Sequence, residues 1–382
     1  MDTEQLIELG NQAREDNNPE LALSYYAQAM TQDRKSASAF NNYGNVLREC
    51  GDPEGAIPFL QRAITLDPNN ATANFNLAVA YLLAGNYKQG WQQYETRWHY
   101  EHLAGTAPTF AQPRWRGEDL KDKTILVVGE QGHGDCIQFS RFIFNLHAMG
   151  AKVKLQVTDG LIPLLGRSNI IENTGRYNQD MGEFDYWVPI MSLPGILGIT
   201  LENLPNPVSY LNASTELTKT WLETLGPKTK MRVGISWSGR RDSWLNQHKG
   251  MPFDKTLELI RSNPQYEWYN LQIDATEDES LALSDAGVRM FPGSVGSFAD
   301  TAALLMHMDV VLSVDTAIAH LSGALGRPTW IMLNWFAVDW RWLLNKDSSP
   351  WYSTARLFRQ DGYGNWDSVI KKITQYLSWF KV

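Results

Sequence analysis

Small and large side chains recur in the first part of the chain with a fixed spacing of 34 residues. The small residues Gly10, Gly44 and Ala78 are separated by that interval. The same interval separates a second small set and a larger set, namely Ala22, Ala56 and Gly90, and Tyr26, Leu60 and Tyr94. Small residues let two helices approach closely and large residues fill the groove beside them, so the pattern predicts a stack of helical hairpins.

Turn-forming residues recur in phase with this spacing, at 17–19, 51–53 and 85–87. The period and the turns together are typical of the tetratricopeptide repeat, and three repeats fill the predicted domain over residues 1–102. Such a stack has an exposed concave face, and its last repeat must rest on another part of the chain.

Two interpretations of the repeats stay open. The stack is a structural cap, or its concave face binds an acceptor protein or peptide. Asn41, Asn42 and Asn76 lie at or near inner-face positions of successive repeats. We expect these asparagines to be replaceable by alanine without opening the core.

From residue 124 onward the pattern changes to apolar runs that alternate with helical periods. This alternation predicts parallel sheets with right-handed crossovers, arranged in two doubly wound halves. The expected strands are Thr124–Val128, Val153–Val157, Val233–Trp237, Tyr269–Gln272, Val310–Val314 and Thr329–Leu333. The first half, with a linker, is predicted over 103–215 and the second over 216–365. A helix over Ile137–Met149 belongs to the first half, and a packing helix over 366–382 returns to it.

Composition and charge exclude several classes of protein. The net charge of −8 argues against a phosphate-backbone partner, because nucleic-acid binding needs a basic face. The cysteines, Cys50 and Cys136, fall in different predicted domains, so neither a disulfide framework nor a cysteine zinc site is indicated. An acidic start without a signal sequence, and the lack of an apolar run of membrane-spanning length, predict a cytoplasmic location.

The most informative stretch runs from Val310 to Pro328. It reads as a buried strand, a turn at Asp315-Thr316 and a helix that ends at Gly326-Arg327-Pro328. The unpaired N–H groups and positive dipole at a helix start favour an anion by roughly 0.3–2 kcal/mol. The segment therefore predicts a phosphate site.

The residues of this stretch also carry a resemblance. They form the string Asp315-Thr316-Ala317-x-Ala319-His320-Leu321-x-x-Ala324-Leu325-Gly326-x-Pro328. It is similar to the nucleotide-sugar site of heptosyltransferase-type glycosyltransferases, family 9, with the GT-B fold, and in particular to members that begin with tetratricopeptide repeats. Further matching segments are 129–135, 298–303, 339–342, 349–352 and 357–360. Ala317 departs from the family, which often has glycine there.

The resemblance implies a tetratricopeptide solenoid followed by a GT-B pair of Rossmann-like domains. It also implies that Asp135 is the general base of an inverting sugar transfer. A plain alternative is that Asp135 only caps the helix that follows the first strand. His133 and Glu130 are the substitutes if Asp135 is not the base.

The leaving diphosphate needs hydrogen-bond donors and a cation. The first-turn N–H groups of Thr316, Ala317 and Ile318 are the expected donors. By resemblance Lys249 contacts the donor phosphate, although a solvated loop lysine is the alternative. The other residues of the predicted donor site are Asp315, Trp237, Ser238 and Arg240. Arg240 or Arg241 is the alternative to Lys249 as the cation.

Gln272 and His320 complete the candidate set. Gln272 ends a predicted strand, where it can contact a ribose hydroxyl or a base edge, and the resemblance supports the ribose. His320 lies one turn into the phosphate-site helix, where it either contacts the substrate or braces the loop from the core.

No Asp-x-Asp pair occurs in the chain, so the usual metal-binding motif of the GT-A glycosyltransferases is missing. The leading hypothesis is an inverting, metal-independent glycosyltransferase with no cofactor and a nucleotide sugar as substrate. Its acceptor is a glycan, a lipid-linked glycan or a protein recruited by the repeats. The alternative is a non-catalytic tetratricopeptide scaffold with a degenerate transferase domain.

Overall fold

The computed structural model describes residues 1–239, 249–291, 293 and 295–380. The chain divides into two compact units. The repeat unit comprises Met1–Thr109, Pro194–Leu204 and Trp335–Lys346, and the sheet unit comprises Phe110–Leu193, Pro205–Asn334 and Asp347–Val382. Among the described helices none is both long and apolar enough to cross a membrane.

Consecutive helices of the repeat unit pack in pairs, as the repeat pattern predicts. They are α1 (Thr3–Glu15), α2 (Pro19–Gln32), α3 (Ala37–Glu49), α4 (Pro53–Leu66), α5 (Ala71–Leu83) and α6 (Tyr87–Tyr94). Asn18 and Asp52 cap the starts of α2 and α4 with their side chains, and a proline occupies the first helical position after each. Both choices suit a helix start, since proline lacks the N–H that has no partner there.

Small residues at the helix crossings are required by close packing. A Cβ atom on Gly10 would lie 2.4 Å from Cε1 of Tyr26, and one on Gly44 would lie 2.8 Å from Cγ of Leu60. Real Cβ atoms do not approach that closely. The small and large positions at the 34-residue spacing therefore face each other, and the predicted hairpin packing is confirmed.

Two later segments of the chain belong to the repeat unit, although the sequence-based boundaries assign them to the sheet domains. The indole N–H of Trp91 donates to the carbonyl of Ile199 at 3.0 Å. The backbone N–H of Ala337 donates to the carbonyl of Glu49 at 2.8 Å. The ring of Trp340 meets that of Trp91 edge-on, 5.3 Å between centroids. These contacts join the segments to the repeats.

The inner helices are linked by buried amides. Asn41 and Asn76 are 6% and 9% exposed, and the Asn76 amide donates to Oδ1 of Asn41 at 3.0 Å. The sequence did not indicate this burial, and an alanine at either position would leave a buried polar group of the other without this bond. Asn42 is half-buried and donates to Oδ1 of the exposed Asn11.

The described part of the sheet unit contains two parallel sheets. The first has the order β3-β2-β1-β4, and the second has the order β6-β5-β7-β8-β9. The strands are β1 (Thr124–Val128), β2 (Lys152–Val157), β3 (Ile171–Arg176), β4 (Tyr186–Pro189), β5 (Arg232–Ser236), β6 (Glu267–Asn270), β7 (Val310–Val314), β8 (Thr329–Leu333) and β9 (Ala355–Arg359). The predicted mixed fold, helical repeats followed by doubly wound parallel sheets, is confirmed.

The remaining helices connect the strands or cover the sheets. They are α7 (His133–Phe139), α8 (Ile143–Ala148), α9 (Ile162–Leu165), α10 (Leu193–Ile196), α11 (Thr215–Leu225), α12 (Phe253–Arg261), α13 (Glu277–Asp285), α14 (Phe298–Leu305), α15 (Ala317–Ala324) and α16 (Trp366–Trp379). The single helix predicted over Ile137–Met149 is wrong in detail. It starts earlier, at His133, and a 3-10 turn at Ser140–Phe142 separates α7 from α8.

The C-terminal helix α16 packs on the second sheet. Its apolar face joins the core built on β5, β7, β8 and β9, through Val369, Ile370, Ile373 and Leu377. The prediction that this helix returns to the first half is therefore wrong. Helical spacing identified which residues are buried, but the partner was determined by the apolar face that the second sheet presents.

Candidate functional site

The first turns of α7 and α15 touch each other within the sheet unit. Each helix follows the carboxyl end of a central strand, α7 after β1 and α15 after β7. A Cβ atom on Gly134 would lie 2.8 Å from Cδ2 of His320 and 3.4 Å from the Cα of Ala317. Ligands of doubly wound sheets bind at the carboxyl ends of the strands. The contact therefore brings two such edges together.

Asp135 has a structural role in this turn. Its Oδ2 accepts the backbone N–H of Gly132 at 2.8 Å, which is the reciprocal bond of a helix cap. The side chain is half-buried. The capping role foreseen from the sequence is thus present, and the role as a base stays a prediction.

The two substitutes for Asp135 differ in exposure. Glu130 is buried, and its Oε1 accepts the backbone N–H of Met191 at 3.0 Å. His133 is exposed, and its ring centroid lies 4.9 Å from that of Phe298 at the start of α14. Glu130 therefore ties the loop after β1 to the loop after β4, whereas His133 stands beside a third helix start.

The predicted phosphate turn has an extended Thr316 as the residue before α15. Its hydroxyl lies 3.0 Å from Oγ of Ser313. The first N–H groups of the helix itself belong to Ala317 and Ile318, as expected, whereas Thr316 takes the capping position in front of them.

Asp315 and Lys249 form an ion pair beside this turn. Nζ of Lys249 lies 2.7 Å from Oδ2 of Asp315, and their side chains are only 11% and 8% exposed. The alternative of a solvated loop lysine is therefore wrong. A buried pair of opposite charges holds both groups in place, because removing either leaves the other charge uncompensated.

His320 is buried and touches both the phosphate turn and a tyrosine. Its Nδ1 lies 2.9 Å from the hydroxyl of Tyr352, and its Nε2 lies 3.8 Å from Oδ1 of Asp315. The bracing role suggested for His320 is thus present. Sequence reasoning did not propose Tyr352 as a functional residue, although the matching segment 349–352 contains it.

Gln272 organises the carboxyl end of β5. Its Oε1 accepts the hydroxyl of Ser236 at 3.0 Å and the backbone N–H groups of Trp237 and Ser238 at 3.1 and 3.0 Å. It lies two residues beyond β6 rather than within the strand. The Trp237 indole is 1% exposed and packs against Phe253. Arg240 and Arg241 lie outside the described residues.

A cavity of about 510 Å³ opens beside Gln272 at the carboxyl end of β6. It lies between α13, α14 and the loop before α14, and residues that line it include Asn270, Ser280, Met290, Phe291 and Thr301. The residues that line it all fall between Asn270 and Leu304, and the sequence analysis did not single out this stretch as a cavity.

Two titratable groups near these edges have perturbed pKa values. Burial raises the pKa of the Cys136 thiol to about 12, so the thiol stays protonated near neutral pH and is a poor nucleophile. Burial lowers the pKa of Arg359, the last residue of β9, to about 10. The guanidinium is still charged at neutral pH.

Comparison with known proteins gives two kinds of similarity. The family model of the TPR repeat matches residues 44–85, so these residues are tetratricopeptide repeat. Protein FlbA of Caulobacter vibrioides is 29% identical in an alignment of 331 residues, which covers 79% of this chain and 54% of that protein. The chain thus spans about half the length of this curated relative.

Solved structures similar to the chain include two transferases and several repeat domains. The E. coli ADP-heptose LPS heptosyltransferase II matches with a TM-score of 0.47 and 14% identity, over 67% of this chain and 99% of that one. A family 9 glycosyltransferase from Veillonella parvula matches with a TM-score of 0.48 and 11% identity, over 70% of this chain and 92% of that one. A tetratricopeptide domain of Spaghetti, bound to an HSP90 peptide, matches with a TM-score of 0.25 and 21% identity, over 25% of this chain and 90% of that one.

Proposed function

We propose that the protein is a glycosyltransferase that moves a sugar, with inversion and without a metal ion, from a nucleoside-diphosphate donor to an acceptor hydroxyl. The contact between the first turns of α7 and α15 is the observation that carries this proposal. The turn with Asp135 meets the helix start beside Lys249 and Asp315. Sugar transfer needs a base and a diphosphate site held at such short range.

The diphosphate binds at the start of α15. The N–H groups of Ala317 and Ile318 donate to its oxygens, and the helix dipole favours its negative charge. Lys249 adds a cation that Asp315 already holds beside the turn. These groups stabilise the charge that develops as the glycosidic oxygen leaves, and little reorganisation is needed because they are in place beforehand.

The nucleoside part extends toward the carboxyl end of β6. Gln272 holds the neighbouring loop through three accepted hydrogen bonds, which suits a residue beside the ribose. The cavity next to Gln272 has a volume of about 510 Å³, which is enough for a nucleotide base, and Met290 and Phe291 contribute apolar walls.

Asp135 accepts the proton of the acceptor hydroxyl. The acceptor oxygen forms a bond to the anomeric carbon as the bond to the diphosphate breaks, so the configuration inverts. A carboxylate has two oxygens and about four lone-pair sites, so the cap bond to Gly132 does not prevent it from acting as a base.

The repeats recruit the acceptor, which in this proposal is an extended polypeptide. The side chains of Asn11, Asn42, Asn41 and Asn76 form a continuous row of hydrogen-bonded amides across α1, α3 and α5. The end of the row at the exposed Asn11 and the half-buried Asn42 offers both donors and acceptors. A peptide backbone is complementary to such a row because it also alternates donors and acceptors.

The test is calorimetric titration with ADP, UDP and GDP and with the three corresponding nucleosides, in buffer that contains EDTA. We expect one diphosphate to bind at least about 10-fold more tightly than its nucleoside, since the phosphates use charge-assisted hydrogen bonds. Lys249→Met should remove most of that difference. Lys255→Met is the matched control, because Lys255 pairs with Glu258 and Asp367 on an exposed surface of α12.

Each result has a definite meaning. No binding of any nucleotide would favour the scaffold hypothesis over the enzyme. Binding that appears only with magnesium or manganese would contradict the metal-independent mechanism. If Lys249→Met and Lys255→Met lose the same amount of diphosphate affinity, the assignment of Lys249 to the phosphate is contradicted.

A further inference from the structure

Tyr352 lies buried beside α15, and its ring is held by two neighbours. A Cβ atom on Gly323 would lie 2.5 Å from Cγ of Tyr352, so the ring lies directly on the helix. The guanidinium carbon of Arg141 lies 4.8 Å from the ring centroid. Arg141 is itself 2% exposed and donates to the carbonyl of Trp351 at 2.7 Å. The packing around the ring therefore fixes the position of the Tyr352 hydroxyl.

The surroundings of His320 decide which of its nitrogens carries the proton. Nε2 faces Oδ1 of Asp315 at 3.8 Å, and a carboxylate can only accept hydrogen bonds. A lone pair on Nε2 would be repelled there, so the proton belongs on Nε2. In that tautomer Nδ1 accepts a hydrogen bond from the Tyr352 hydroxyl over 2.9 Å.

We propose that Tyr352 is a positioning residue for the donor-phosphate site. It fixes His320 in the tautomer with Nε2–H, His320 orients Asp315, and Asp315 holds Lys249 at the start of α15. This inference rests on the proposed function, because it assigns the chain of contacts to diphosphate binding.

The same imidazole also sets the spacing between the two catalytic turns. A Cβ atom on Gly134 would lie only 2.8 Å from Cδ2 of His320. A ring that turned about its Cβ–Cγ bond would press against α7 or lose its bond to Tyr352. One hydroxyl group therefore influences both the phosphate turn and the turn that carries Asp135.

The test is Tyr352→Phe, which keeps the ring on Gly323 and removes only the hydroxyl. Nitrogen NMR of protein labelled at its histidines, with His320→Gln for assignment, reports the tautomer. We expect His320 of the unaltered protein to be protonated at Nε2 near neutral pH, and to become a mixture of tautomers in Tyr352→Phe. A proton found on Nδ1 of the unaltered protein overturns the inference without any variant.

Binding is measured on the same proteins with ADP, UDP and GDP and the corresponding nucleosides. Tyr352→Phe should lower the affinity for the preferred diphosphate about 10-fold, the scale expected when one charge-assisted hydrogen bond is no longer held in place. The affinity for the nucleoside should stay unchanged. Tyr376→Phe is the control, because its hydroxyl accepts from Arg356 at the far end of β9. Binding is compared at a temperature at which both variants are folded.

The two proposals fail in different ways. If the unaltered protein binds no diphosphate, the proposed function is wrong and the role of Tyr352 is wrong with it. If the unaltered protein binds and Tyr352→Phe binds equally well, only the role of Tyr352 is overturned. An equal loss of diphosphate and nucleoside affinity would indicate general disruption and also contradict the positioning role.

Discussion

Asp135 caps a helix and is also the proposed base, and a single substitution can test these two roles separately. Its Oδ2 accepts the N–H of Gly132, and an asparagine at this position would still accept that bond through its amide oxygen. Asparagine cannot take up the acceptor proton, however. The substitution Asp135→Asn therefore separates the two roles without removing the cap.

We predict that Asp135→Asn lowers turnover roughly 100-fold or more, the usual scale for losing general-base help, while donor binding changes little. Turnover is measured as donor consumption, and binding by calorimetry. Asp52→Asn is the control, because the Asp52 side chain also accepts a backbone N–H at a helix start, that of Gly55 in α4 of the repeat unit. If turnover in Asp135→Asn stays near the unaltered rate at normal stability, Asp135 is only a cap, and His133 is the next candidate.

At the scale of elements, the contact between α7 and α15 depends on a glycine. Alanine is favoured over glycine inside a helix by about 1 kcal/mol, so propensity alone predicts that Gly134→Ala stabilises α7. The added Cβ atom would meet His320 at 2.8 Å and the Ala317 backbone at 3.4 Å. Overpacking of this kind costs about 1–3 kcal/mol, and the imidazole cannot move freely while Tyr352 holds it.

We therefore predict that Gly134→Ala lowers the free energy of unfolding and weakens diphosphate binding, because it pushes the phosphate turn away from α7. Urea unfolding and calorimetry measure the two effects. Gly362→Ala is the control, since an added Cβ atom there meets nothing within 4 Å. A more stable Gly134→Ala protein with normal binding would show that the two turns separate at no cost.

At the scale of the whole molecule, buried thiol and phenol groups make the stability of the fold decrease at alkaline pH. Burial raises the pKa of Cys136 to about 12, that of Cys50 to about 11, and those of Tyr26 and Tyr269 to about 12. Each group keeps its proton in the folded protein after the unfolded chain has begun to release it. The folded state then binds more protons, so stability falls as pH rises.

We predict that the free energy of unfolding, measured with urea, decreases as the pH rises from 9 to 10, the interval that starts at the ordinary pKa of a thiol. A fully buried thiol contributes at most about 1.4 kcal/mol per pH unit to this slope. Cys136→Ala should make the slope shallower. A stability that is constant over the interval, or a slope that Cys136→Ala leaves unchanged, would contradict the assigned pKa shift.

Much of the fold could be predicted from the sequence because its signals are local. The strands Val310–Val314 and Thr329–Leu333 have the predicted bounds, since each is a short apolar run between turn residues. The repeats were predicted because the same pair of small and large residues recurs at one spacing. The helix start at Thr316 was predicted for the same kind of reason, a capping residue directly after a strand.

Contacts between distant segments were decided only by the tertiary structure. Periodicity identified the apolar face of α16 but not the sheet that covers it, because every apolar surface is equally suitable in sequence terms. Likewise, the sequence placed Asn41 and Asn76 on inner helices, yet burial and a hydrogen bond between them depend on how α3 and α5 pack. The hydroxyl of Tyr352 reaches His320 across 32 residues of chain. Such pairs require two particular faces to meet, and no local pattern specifies which faces those are.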